Sequence, residues 1–537
     1  MNKLLTGIGL ISALIVQAGE KPKQYNILCI TCEDISPFVG CFGDKVAKTP
    51  NLDNFSKESI RFSRMFTTVG VSAPSRAALI TGMYPSSVGA NNMRSYVMPS
   101  ERNGKTTPMY EVILPEGVKC FTEYLRADGY YCTNNVKTDY QFASPVTAWD
   151  ENSANSHWKN RPLGMPFYSI FNLEVSHESR TWMRANEPLT TQPNEVIVPP
   201  YYPDDVVVRR DMAIMYNNIT EMDRQFGEKI KELKAAGLYD NTIIIWYSDN
   251  GGPLPNMKRS IYERGTLVPF MIRFPNGYRA GEMDDRLCMF PDIPATILSV
   301  VGIKPPATMQ GKPFLGKFAT KARQYIYGTR DRMDEQVDKQ GAIRDKRFRY
   351  VVNYLPEKAG YMPVAYRLQI PMMRRLLELY QKDSLNDAQK RWFLAPRPYE
   401  EFFDVLNDPH ELTNLIDNPA FAKDIARLKN EYQNWLKKYN QNWMRSEQEN
   451  IAQFMPNGVQ LKVMNPEIIL KNGKILFKSQ TPGVSFAYQI NGKAYSSSEK
   501  WYLYRKPITI VKGTKISVKA VRVGYLDSEI VNVENLQ

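Results

Sequence analysis

Histidine is the scarcest chemistry-bearing residue in this chain, with His157, His177 and His410 the only three in 537 residues. A hydrolytic site built on two zinc ions draws on several His and Asp ligands, and this supply argues against one. Cysteine is thin as well: six residues, scattered rather than framed. Cys29-x-x-Cys32 would mark a redox or zinc site if it opened a helix. It lies instead in the apolar run Ile27-Leu28-Cys29-Ile30, which predicts strand positions for both. A Cys120–Cys132 disulfide suits an oxidising compartment, but spacing does not establish it. Beyond the N-terminal segment no run is long and apolar enough to span a bilayer, and there are no internal repeats or low-complexity tracts. A recognised nucleic-acid module, or a basic face dedicated to one, is also missing. The net charge of +13 therefore points to anionic partners of another kind, a sulfated polysaccharide among them.

What is present begins with Lys3, the apolar run Leu4–Val16 and the small-residue end Val16-Gln17-Ala18. That is the pattern of a secretory signal peptide over residues 1–19. It predicts a periplasmic or secreted protein with no membrane anchor, and no cysteine stands near the cleavage point to carry a lipid. A chain of this length buries a large core and divides into more than one domain.

The central stretch is Ser72-Ala73-Pro74-Ser75-Arg76-Ala77-Ala78-Leu79-Ile80-Thr81-Gly82. It reads as a loop entering a short helix, with Ser72 just before the turn, Pro74 at the first helical position and Gly82 at the stop. Unpaired N–H groups at such a helix start favour an anion, and Arg76 adds a fork of donors matched to a tetrahedral oxyanion. Taken alone, an ordinary capped helix satisfies the same pattern.

Around it, buried-strand runs end in polar residues. Tyr25–Thr31 leads to Glu33 and Asp34, a like-charged pair that needs a cation or an arginine between its members. Tyr130–Thr133 leads to Lys137 and Asp139, and Phe167–Leu173 to His177. Thr242–Tyr247 leads to Asp249 and Asn250, two oxygen ligands suited to a hard cation and equally to a turn. In open α/β sheets, ligand sites gather at such strand ends. Lys258 follows in a polar loop, and Gly89–Arg94, with Asn91 and Arg94, is predicted to face solvent as a substrate rim. Asp204–Ala236 predicts an amphipathic helix whose Met212, Met215, Ile219 and Met222 stripe faces the core.

Ser-x-Pro-Ser-Arg followed by Leu-x-Thr-Gly resembles the defining motif of the type I sulfatases. The resemblance spans roughly residues 24–445 and implies an α/β fold of the alkaline-phosphatase-like sulfatase type. A large mixed central sheet flanked by helices (24–325) would be followed by a smaller antiparallel C-terminal subdomain (326–445). It further implies that Ser72 is oxidised to formylglycine by a radical serine-type maturating enzyme before export. Calcium would be held by Glu33, Asp34, Asp249, Asn250 and the modified Ser72. Arg76, Lys137 and Lys258 would offset charge on the sulfate, Asp249 would take the attacking proton, and His177 would protonate the leaving oxygen. Two positions depart from the family pattern: Glu33 stands where the family has aspartate, and Asp139 where it has histidine. Asn91, Arg94 and Asp139 are the candidate substrate contacts. The stretches Gly89–Arg94, Trp149–Arg161 and His177–Ser179 look most like the N-sulfoglucosamine sulfohydrolase subgroup, implying a heparan-type glycan. Residues 460–537 alternate polar and apolar as a small β-sandwich and loosely resemble a chitobiase-type C-terminal module. The alternatives are a phosphodiesterase or phosphatase of the wider alkaline-phosphatase group, and a catalytically inactive polyanion-binding protein.

Overall fold

The computed structural model describes residues 24–96, 100–102, 105–107, 109–439, 441–509 and 513–534. The expected signal segment, 1–19, lies outside the described residues. No helix among those described is long and apolar enough to cross a membrane.

Strand β1 (Asn26–Cys32) is buried at every position. Its side chains alternate between two cores, Ile27 and Cys29 entering one and Leu28, Ile30 and Cys32 the other. Covering on both faces is what a near-continuous apolar run in a parallel sheet requires. Strands β2 (Ser59–Phe66), β3 (Tyr131–Asn135), β4 (Phe167–Leu173), β5 (Thr242–Ser248) and β6 (Leu267–Arg273) join it in the order β2-β6-β5-β1-β4-β3, with short strands at the edges. Strands β3, β4, β1 and β5 run parallel, while β6 pairs antiparallel with both β5 and β2. The carboxyl ends of β1 to β5 therefore all point the same way, and the loops that leave them meet at one edge.

Helix α1 (Ser72–Thr81) follows β2. It starts earlier than expected: Val71 is the extended N-cap, Ser72 the first helical residue and Pro74 the third. The first four N–H groups of a helix have no partner within it, so proline is tolerated anywhere in that turn. The Ser72 hydroxyl reaches toward Asn250 instead of capping. Gly82 closes the helix with φ 68°, a conformation glycine adopts without strain. Helix α2 (Val206–Ala235) is capped by Asp205, which accepts from the Val207 amide at 2.8 Å. Its Met212, Met215, Ile219 and Met222 are buried against the sheet face that carries Leu28 and Ile30.

The smaller antiparallel sheet comprises β7 (Ile326–Arg330), β8 (Gln340–Arg344), β9 (Phe348–Asn353) and β10 (Glu400–Asp404), backed by α3 (Ala422–Tyr439). From Glu467 onward there are two small sheets, one of three strands and one of four, with Ile475, Phe477, Ile516 and Val518 between them. The six cysteines are all free, and Cys120 and Cys132 are buried apart from any bridge.

Arg126 ties this C-terminal module to the main sheet. Its guanidinium is buried, pairs with Asp150 at 2.7 Å and donates to the Trp501 carbonyl at 2.7 Å. Removing one member of a buried pair leaves an uncompensated charge. Arg126→Ala is therefore expected to lower stability by about 3 kcal/mol, read as a lower denaturant midpoint.

Candidate active site

Five strand ends deliver the site. Glu33 and Asp34 follow β1, Ser72 and Arg76 lie on α1 after β2, and Lys137 follows β3. His177 follows β4, and Asp249 and Asn250 follow β5. Lys258 enters from the loop before β6, where Gly251 lies against the backbone of Gly265. A Cβ on Gly251 would meet that chain at 2.6 Å, so only glycine permits the approach.

The centre is a buried lattice of opposite charges. Arg76 donates from Nη2 to Glu33 Oε1 at 2.5 Å, from Nε to Asp249 Oδ2 at 3.0 Å, and from Nη1 to Asn172 Oδ1 at 2.7 Å. Asn172 is itself anchored on the Asn135 carbonyl at 2.8 Å, which holds the guanidinium plane. Lys137 Nζ sits 2.7 Å from Glu33 Oε2, and Lys258 Nζ 2.6 Å from Asp34 Oδ2. The Ser72 hydroxyl, 2% exposed, lies 3.1 Å from Asn250 Oδ1 and 3.4 Å from Glu33 Oε2.

Sequence reasoning left Glu178 and Arg259 without a role, yet they close the lattice. Arg259 grips Glu178 with two hydrogen bonds of 2.7 and 2.8 Å, and Lys258 reaches the same carboxylate at 3.5 Å. The Glu178 amide also donates to Asp34 Oδ2 at 2.7 Å. The available signal was that Glu178 adjoins His177 and Arg259 adjoins Lys258, both in loops already assigned to the site. Their pairing across the chain was invisible.

The other candidates divide. Asp139 lies beside the cluster, 3.7 Å from Lys137 Nζ. Arg94 is half-buried, with its guanidinium over the Tyr366 ring at 5.9 Å, and that ring is 6.5 Å from the His177 imidazole. Asn91 does not face solvent as expected. It is 2% exposed and donates to Asp331 at 3.0 Å, because the Gly89–Asn92 turn is covered by residues of the C-terminal half, Phe454 among them. An open groove of about 620 Å³, lined by Val136, Asn172, Glu174, Arg180 and Arg184, begins at the residue that holds Arg76.

Burial, reinforced by Glu33 and Asp34, pushes the Asp249 carboxyl up to about 6, and Arg76 offsets only part of this. Burial would raise Glu33 too, but Lys137 and Arg76 outweigh it and hold that carboxyl well below the usual range. The cluster of Glu33, Asp34 and Asp249 brings oxygens within 4.8 Å of one another, and Asn250 adds an amide. An all-oxygen donor set, one member of which resists ionisation, fits a hard divalent cation. No histidine belongs to it, and it is the one such cluster among the described residues, so the two-zinc arrangement has no footing here.

Burial, with Lys258 adding to it, pushes the His177 imidazole down to about 4 from its ordinary 6.5. Between these values the unfolded chain takes up a proton that the folded protein refuses, so stability is lost as pH falls through that window. His177→Gln is expected to flatten this acid limb, measured as Tm against pH from 7 to 4.

Residues 25–303 match the sulfatase family model, and residues 256–363 match the C-terminal model of N-sulphoglucosamine sulphohydrolase. The chain belongs to the sulfatase family, a family of sulfuric ester hydrolases. An ulvan-active sulfatase of Formosa agariphila is 39% identical over 549 residues, covering 95% of this chain and 91% of its own length. Human N-sulphoglucosamine sulphohydrolase is 21% identical over 506 residues, covering 83% of this chain and 95% of its own. A solved structure of a protein in complex with its substrate D-glucosamine-2-N,6-O-disulfate shares the fold, with a TM-score of 0.56 at 17% identity over 79% of this chain and 100% of that one.

Proposed function

We propose that this protein hydrolyses sulfate esters on an acidic polysaccharide, with Ser72 as the modified nucleophile position. The observation that carries the reading is the place of Ser72: buried at a helix start, beside a carboxylate cluster and within a lattice of four cations. Arg76, Lys137, Lys258 and Arg259 face Glu33, Asp34, Asp249 and Glu178, with Asp139 and Asp334 at the margin of the cluster. A divalent cation and a sulfate dianion can then enter together without changing the charge balance.

Converted to formylglycine, Ser72 supplies a hydrated aldehyde with two hydroxyls on one carbon, which a plain serine lacks. Glu33, Asp34, Asp249 and Asn250, together with the modified Ser72, would hold calcium, which would supply a Lewis acid for the sulfate oxygens. The chain's own residues do the rest. Arg76 and Lys137 orient the anion from one side and Lys258 from the other, placing fixed positive charge where negative charge develops. Asp249, at the nucleophile, accepts its proton. Burial holds the His177 imidazole low, and a bound anion beside it would favour the protonated form, which suits it to donate to the leaving oxygen. Asp139, next to Lys137, holds the place of the usual histidine and can accept a proton in the second half of the reaction. Arg94 and the groove beside Asn172 receive the sugar.

The 39% relative favours an ulvan-type substrate. A heparan-type glycan is the second reading, favoured by the match to the N-sulphoglucosamine sulphohydrolase C-terminal model. Maturation of Ser72 by a radical serine-type enzyme before export through the 1–19 segment completes the proposal. So does a division into a catalytic unit (24–325), a C-terminal subdomain (326–445) and an accessory module (460–537). The test is co-expression with such a maturase, peptide mass, and sulfate release from ulvan, heparin and chondroitin oligosaccharides. A Ser72 peptide lighter by about two mass units, as loss of two hydrogens requires, with release from one glycan class is the expected result. Modified Ser72 with no release from any sulfated sugar would refute it.

A further inference from the structure

Behind Lys258 and Arg259 lies a cavity of about 120 Å³ that the catalytic scheme does not use. This is far more than the roughly 10–15 Å³ that one water needs. Its other walls carry Arg330, Arg367 and Arg397, which are 5%, 2% and 9% exposed.

These arginines are short of counter-charge. Arg330 and Arg397 share the single carboxylate of Asp338, and Arg330 Nε, Arg397 Nε and Arg397 Nη1 are buried without hydrogen-bond partners. Arg367 has no carboxylate within ion-pair distance among the described residues. It makes only a long contact of 3.5 Å to the Met362 carbonyl and lies over the Trp392 ring. The two carboxylates that line the cavity are already paired, Glu401 with Arg391, itself a lining residue, at 2.6 Å and Glu411 with Arg349 at 2.7 Å. Burial, with repulsion from Arg259, pulls the Arg367 guanidinium down to about 9, Glu178 and Asp334 offsetting only part of this, and burial pulls that of Arg330 down to about 10 against the pull of Asp338. Buried cations persist only when they are paired or hydrogen-bonded, so the pattern is that of a site whose anion is supplied from outside. Leu394, Pro396 and Pro398, which also line the cavity, are exposed to solvent.

We propose that this cavity is a second oxyanion site, sized for sulfate or a carboxylate and formed by Arg330, Arg367 and Arg397 behind the catalytic lysine. It goes beyond the sulfatase reading and does not depend on it. Filling it would add negative charge next to Lys258 and Arg259, the two cations that grip Asp34 and Glu178. An anion there is therefore felt at the catalytic cluster.

The experiment is thermal unfolding of the full chain in sodium sulfate against sodium chloride at equal ionic strength. It compares the wild type, Lys137→Ala and the double variant Arg367→Met with Arg397→Met. Saturating sulfate is expected to raise Tm in the wild type and, by about 2–5 °C, in Lys137→Ala. The double variant is expected to lose that share of the rise and keep only what the catalytic cluster and the general salt effect contribute. A rise that persists in full in the double variant and disappears in Lys137→Ala would overturn the proposal while leaving the catalytic reading intact. Crystals of the wild type soaked in sodium selenate cover the case of a double variant that does not fold. An anomalous selenium peak within hydrogen-bond distance of Arg367 or Arg397 is expected, and peaks confined to the Ser72 site would refute it. Kinetics separate the sources of the anion. An increase in KM of about tenfold or more for a doubly charged oligosaccharide, with a singly sulfated monosaccharide unaffected, assigns the cavity to a substituent of the substrate. Unchanged KM for both, with the sulfate response lost, assigns it to free sulfate.

Discussion

Replacing Ser72 by alanine is expected to lower kcat by about 10⁴–10⁶-fold, the range seen when a covalent nucleophile is removed, with the fold intact. Alanine is the best helix former, and Ser72 occupies the first position of α1. Its hydroxyl makes only the bonds of 3.1 and 3.4 Å to Asn250 and Glu33, so the loss in stability should stay near 1 kcal/mol. The cations proposed to orient sulfate do not depend on it, since Arg76 and Lys137 are held by Glu33, and Lys258 by Asp34. Ser72→Ala should therefore still bind the sulfated sugar, measured by calorimetry, while sulfate release falls to background. Protein made without a maturase should behave in the same way. If Ser72→Ala kept a tenth of wild-type turnover, Ser72 would not be the nucleophile position.

Asp249→Asn should move activity and stability in opposite directions. Turnover is expected to fall on the order of 10³-fold or more, because a cation ligand and the proton acceptor disappear together. Metal-free stability should rise by about 2 kcal/mol above pH 7, since the amide mimics the protonated carboxyl that burial prefers. The pH dependence carries the same sign. The Asp249 carboxyl is raised from 3.8 to about 6. Between these values the folded protein holds a proton that the unfolded chain has released, so this group's contribution to stability falls as pH rises. The variant should lack that fall. It should also lose the increase in Tm that calcium is expected to produce in the wild type, a binding contribution of about 2.7 kcal/mol at a hundredfold excess over Kd. Tm with calcium and with a chelator, at pH 5 and pH 8, reads all three effects. Equal calcium responses in both proteins would exclude Asp249 as a ligand.

Much of this site could be read along the chain because its parts are local. A run such as Thr242–Ser248 is a strand by composition, and whatever follows it stands at a strand end. Four such runs placed Glu33, Asp34, Lys137, His177, Asp249 and Asn250, and the loop entering a short helix placed Ser72, before any contact was known. The start of α1 was displaced by two residues, since proline marks the first turn without specifying which position in it.

The pairings were not legible. Lys137 meets Glu33 across 104 residues, Arg76 meets Asp249 across 173, and Lys258 meets Asp34 across 224. No local pattern encodes which base meets which acid; sheet order does, by bringing β1 between β4 and β5. The same holds for Asn91, polar in a polar stretch, which packing from the C-terminal half buried. It holds also for Arg330, Arg367 and Arg397, three arginines of a basic chain until the smaller sheet enclosed them without enough carboxylates. Strand and helix identity, the proposed nucleophile position and the family motif are thus carried by neighbours within a few residues, where backbone periodicity acts. Charge balance, burial and the second cavity depend on contacts hundreds of residues apart, and these exist only once the sheets have closed.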